Sequence, residues 1–142
     1  MARRMRQWRA WGFLFGVSVA AACGGDKATA PAPCDTYTGG ILSGNSGDLP
    51  GSYALRSYCQ GEKPDVPGGS GNVAITATNF TASIGAVSYS GTYTTSGLDG
   101  ITVTLTSPLP ATFLGTFRLR NDSLAVSGTV GGQRLSLVGT RQ

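Results

Sequence analysis

Gly100-Ile101-Thr102-Val103-Thr104-Leu105-Thr106-Ser107 alternates apolar and hydroxyl side chains without a break. Successive side chains of a strand point to opposite faces. A period of two therefore puts Ile101, Val103 and Leu105 on one face and the threonines on the other. A helix, with about 3.6 residues per turn, would scatter the three apolar residues around its axis. The stretch predicts a strand with one dry face and one wet face.

The pattern extends in both directions. Upstream, Tyr89, Gly91 and Tyr93 alternate with Ser90, Thr92 and Thr94, and Phe80, Ala82 and Ile84 alternate with Thr81 and Ser83. Val73, Ile75 and Ala77 precede them, and Tyr53 and Leu55 oppose Arg56. Downstream, Phe113, Phe117 and Leu119 alternate with Thr116, Arg118 and Arg120. Leu124 and Val126 follow, and Leu135 and Leu137 finish the set. Gly97 to Gly100, Asn121-Asp122 and Gly131-Gly132 are turn chemistry between these runs. Pro108 and Pro110 interrupt the ladder, because proline has no N–H to donate.

About eight short strands joined mostly by short turns predict an all-β fold, an antiparallel up-and-down barrel. A β-sandwich is the alternative, and strand order separates the two, since crossed pairing means a Greek key. A barrel of about eight strands has an interior that side chains fill or that holds one small ligand. Tyr53, Tyr89, Tyr93, Phe113 and Phe117 are the expected lining of such an interior, either filling it or facing an apolar guest.

Residues 24–50 carry little periodicity. Gly39-Gly40 and the run from Ser43 to Gly51 read as turns, and Ile41-Leu42 is expected to cover an end of the barrel. The loops at 62–71 and 107–111 are the longest breaks in the pattern, and they are the surfaces a protein partner would use.

The N-terminus is different in kind. Arg3, Arg4, Arg6 and Arg9 precede an apolar run from Ala10 to Ala22, which ends at Cys23-Gly24-Gly25-Asp26. A positive start, a short apolar middle and small residues at the end make an export signal. The run falls short of the roughly 20 apolar residues of a membrane-spanning helix. Residues 1–22 are thus expected to be removed, residues 23–50 to form a Gly/Pro/Ser-rich tether, and residues 51–142 to form the domain.

Eleven Lys and Arg against seven Asp and Glu give a formal charge of +4 and a pI near 9.3. Loss of the leader removes four arginines, so seven bases face seven acids and the mature chain is formally neutral. A nucleic-acid partner, which needs a basic patch or stripe, is not expected. The chain contains no histidine, which removes the usual general base and the commonest metal ligand. The acids are scattered singly, mostly through turns. No catalytic residue, metal site or cofactor is expected, and the chain is not expected to be an enzyme.

Ala20-Ala21-Ala22-Cys23 followed by GGDKATAPAP resembles the lipobox and tether of bacterial lipoproteins. Ala20 stands where that family favours leucine. The resemblance implies acylation of Cys23, cleavage before it and anchoring of the domain to a membrane through the acyl chains. Gly24 after the cysteine implies the outer membrane. Ala20 and Ala22 also fit an ordinary A-x-A cleavage site, and both readings cut at the same bond. With Cys23 acylated, Cys34 and Cys59 remain. Export to an oxidising compartment predicts their disulfide, worth roughly 3 kcal/mol for a loop of about 25 residues. With Cys23 unmodified, one thiol is left over.

Gly51-Ser52-Tyr53, Gly91-Thr92-Tyr93, Gly128-Thr129 and the closing run from Leu137 to Arg141 resemble the lipocalin-like domains of small bacterial lipoproteins. That likeness covers residues 51–141. It implies a barrel, an exported and lipid-anchored envelope protein, and a small apolar ligand. An envelope assembly factor or protease inhibitor acting through its loops is the alternative.

Overall fold

The computed structural model describes residues 32–42, 48–66 and 71–142. The leader, Cys23 and half of the expected tether lie outside the described residues. So do residues 67–70 of the predicted 62–71 loop, whose first half, Glu62–Val66, is a strand rather than a loop because it pairs with the strand Gly51–Gln60.

Among the described residues every regular element is a strand: β1 (Gly40–Ile41), β2 (Gly51–Gln60), β3 (Glu62–Val66), β4 (Gly71–Ile75), β5 (Asn79–Ile84), β6 (Val87–Ser96), β7 (Gly100–Ser107), β8 (Ala111–Arg120), β9 (Ser123–Val130) and β10 (Gln133–Arg141). From β4 to β10 each strand pairs antiparallel with the next in sequence. β2 joins β4 on one side and β10 on the other. The first long strand thus pairs with the last, and the sheet closes into an antiparallel eight-strand barrel in simple up-and-down order. Closure leaves no long exposed edge, the feature that otherwise invites aggregation. The sandwich alternative is excluded by this sequential pairing.

β3 and β4 follow one another along the same edge of β2. Tyr58 and Gln60 of β2 pair with Val66 and Glu62, whereas Gly51 to Ala54 pair with Ile75 to Asn72. β1 lies outside the ring. It runs parallel to β8, beyond the point where β7 begins, with Gly40 opposite Arg118 and Ile41 opposite Leu119.

The turns follow from local chemistry. Gly131 and Gly132 both have positive φ, 56° and 80°, as a two-residue hairpin turn of the favoured hand requires. Val130 and Gln133 close the register around them. Asn121, the one described non-glycine residue with positive φ (52°), turns β8 into β9.

The two ends of the barrel differ. The lower end carries the β4–β5, β6–β7 and β8–β9 turns, and it is plugged by residues 48–50. Leu49 is buried, and its carbonyl accepts a 2.7 Å hydrogen bond from the buried Tyr53 hydroxyl. The Arg141 guanidinium lies 5.3 Å from the centre of the Tyr53 ring and donates to the Tyr53 hydroxyl and to the Asp48 carbonyl. Leu49 takes the place expected of Ile41-Leu42, and Ile41 flanks it at the same end, 47% exposed on a short strand that pairs with the edge of β8. The upper end carries the β2–β3, β5–β6, β7–β8 and β9–β10 connections.

Residues 33–42 form a strap down the outer wall. At the upper end Pro33 bridges Glu62, and Cys34 forms a disulfide with Cys59, Cα to Cα 5.6 Å. Midway, the Tyr37 N–H donates to Ser127 Oγ at 2.7 Å, and Thr116 Oγ1 donates to the Tyr37 carbonyl at 2.6 Å. Arg118 stacks over the Tyr37 ring at 5.4 Å, rather than standing in solvent as its strand face alone would suggest. At the lower end the Gly39 N–H donates to the Asp99 carboxylate. The strap explains why Ala125 and Ser127, on the outer face of β9, are buried.

Candidate ligand cavity

The inward residues do not fill the barrel. A cavity of about 330 Å³ opens at the upper end, at the low edge of the ~300–1,000 Å³ range of small-molecule sites. Its rim is made by Gln60, Ile84, Pro108, Leu109, Val130 and Leu135. It extends down to Ile75, Tyr93, Ile101 and Leu124. Ile75, Val103 and Leu137, whose inward direction the alternation requires, all face it.

Gly115 and Gly128 face each other across β8 and β9, and Gly91 stands on β6. A Cβ at any of the three would meet a carbonyl oxygen of the neighbouring strand at 2.0–2.2 Å, so the strands approach too closely there for a side chain. The ring of Phe113 comes down over the glycine pair: a Cβ on Gly115 would lie 2.8 Å from Phe113 Cζ, and one on Gly128 2.7 Å.

Of the five aromatic residues expected to line the interior, Tyr89, Tyr93 and Phe113 line this cavity. Tyr53 and Phe117 do not. They pack into the lower core with Leu49, Leu119 and Leu124, where Tyr53 anchors the plug. The sequence reading missed Tyr58 and Gln60, which face the cavity. Val138 of β10 pairs with Ser57, yet Gly139 pairs with Leu55, so Arg56 is an extra residue in the ladder. Such a bulge shifts the alternation by one. Leu55 and Tyr58, three apart, then both point inward. Nothing in the run Leu55-Arg56-Ser57-Tyr58 marks the bulge except that strict alternation would turn a tyrosine out and a serine in.

Among the described residues the lining carries no formal charge. Its polar atoms are few. The Tyr58 hydroxyl reaches Gln60 Oε1 at 3.5 Å, and Gln60 Nε2 donates to Gln133 Oε1 at 3.0 Å. The Tyr93 hydroxyl donates to the Thr76 carbonyl at 2.6 Å. Burial pushes the Tyr58 pKa up, and the nearby Tyr89 adds to this. Burial raises Tyr93 as well, with a smaller push from Tyr53. These phenols are neutral donors and acceptors near neutral pH.

Among the described residues no three His, Cys, Asp or Glu side chains come together as a metal site would need. No protein-family model matches this chain, and no curated protein or solved structure matches it either.

Proposed function

We propose that this chain is an exported, lipid-anchored envelope protein whose barrel binds a small apolar molecule without transforming it. The single observation that carries the binding half is the open cavity at the upper end, whose described lining is free of charge. The leader that ends at Cys23 supports the anchor. Pro33 meets the barrel at that same upper end, so the tether would leave beside the cavity mouth.

The magnitudes are compatible with reversible binding. An alkyl chain of about ten methylenes gains roughly 8 kcal/mol on leaving water, at ~0.8 kcal/mol per CH₂. Association costs about 4 kcal/mol or more. What remains, roughly 4 kcal/mol, corresponds to a dissociation constant near 1 mM, tightening with each further buried group.

The test is to fill the cavity. Ala82 is buried against it, and Ala82→Phe places a ring in the void. Binding of a neutral polarity-sensitive fluorophore such as N-phenyl-1-naphthylamine is expected to be lost, with the urea midpoint held or raised. Unchanged binding by the folded variant would place the ligand elsewhere. Mass spectrometry of the mature N-terminus tests the anchor, which requires a processed chain starting at an acylated Cys23.

One observation favours a second reading, a protein partner at the rim. Leu109, in the 107–111 loop, is 73% exposed. On that reading Leu109→Asp removes a partner that can be cross-linked at the rim while fluorophore binding survives.

A further inference from the structure

The cavity selects against charge. Every described wall residue that faces it is apolar, apart from tyrosine hydroxyls and the Gln60 amide. An ionised carboxylate or ammonium drawn into such a lining would lose its hydration with no partner of opposite charge, a cost of several kcal/mol. A neutral hydroxyl or amide loses far less, and it finds partners here. Tyr58 is 8% exposed and its hydroxyl meets Gln60 Oε1, while Gln60 passes one N–H to Gln133. Beyond these two hydrogen bonds an amide and a phenol keep one N–H and several lone pairs in reserve. They stand where the apolar wall meets the rim, so a guest would meet them with its head while its tail lies among Val73, Val103 and Leu137.

We infer that the cavity takes an uncharged amphiphile, of the long-chain alcohol or amide type, with its head hydrogen-bonded to Tyr58 and Gln60 and its apolar body lying down the barrel. This rests on the cavity being the ligand site, as proposed above. It adds the ligand's charge state, its orientation and the residues that read its head.

The experiment is a competition on the full chain against N-phenyl-1-naphthylamine, using 1-dodecanol, dodecanoate and dodecane. Dodecanol is expected to displace the fluorophore at least tenfold more effectively than dodecanoate at neutral pH. Acidifying until dodecanoic acid is protonated should close that gap. Gln60→Leu, at an exposed rim position, and Tyr58→Phe, which keeps the ring, should each weaken dodecanol about fivefold and leave dodecane unchanged, the size expected for one lost hydrogen bond. Equal displacement by dodecanoate and dodecanol, or equal loss of dodecane in the two variants, would overturn the inference and leave the cavity as a ligand site. Failure of the fluorophore and all three competitors to bind would remove the cavity reading and this inference with it.

Discussion

Phe113 lies over Gly115 and Gly128, a contact that leaves no room for a side chain at either. A side chain on Gly128 would run into the Leu114 carbonyl and the Phe113 ring. Gly128→Ala is therefore expected to cost about 2–3 kcal/mol, the range for overpacking a filled site. It should appear as a lower urea midpoint at unchanged slope, whereas Thr129→Ala next door, on the exposed face, should change little. The tyrosines make a second prediction. Tyr53, Tyr58 and Tyr93 all have pKa values raised above the usual 10.0, by burial first, with Arg141 partly opposing the shift at Tyr53. Each folded phenol holds its proton to a higher pH than the unfolded one. Their contribution is present below pH about 10 and is lost as the pH climbs through the folded values. Chemical denaturation should give stability that falls steadily above pH about 10.

At the scale of elements, the strap and β2 matter most. Residues 33–42 are tied to the wall by Cys34–Cys59, across a sequence separation of 25. Replacing both cysteines by serine is expected to cost about 3 kcal/mol. It should also speed amide exchange at Tyr37 and Gly39, whose N–H groups the strap bonds to the barrel. The strap was not legible in sequence. It binds through backbone groups to Ser127, Thr116 and Asp99, and such contacts need no hydrophobic period. The strands were legible because burial on one face leaves a period of two, as Ile101-Thr102-Val103-Thr104-Leu105 shows. Where that rule failed, at Tyr58, a bulge opposite Gly139 had reset the phase. The five aromatic residues all face inward, yet Tyr53 and Phe117 lie in the lower core and not against the cavity. Alternation gives the face of a strand and is silent on height along the barrel.

At the scale of the whole molecule, two facts combine: β2 pairs with β10 to close the ring, and its inward side chains leave a cavity at the end opposite the Leu49 plug. Up-and-down order could be read from short turns. The void could not, because it depends on how far side chains from different strands reach across the barrel. The most direct test of a closed, hollow, ligand-holding barrel is an isotope-edited nuclear Overhauser spectrum of the full chain with 1-dodecanol. A guest inside must give cross-peaks from its alkyl protons to the methyl groups of Val73, Val103 and Leu137, which sit on three different strands. Cross-peaks confined to Leu98 and Leu114, 76% and 58% exposed on the outside, would contradict it.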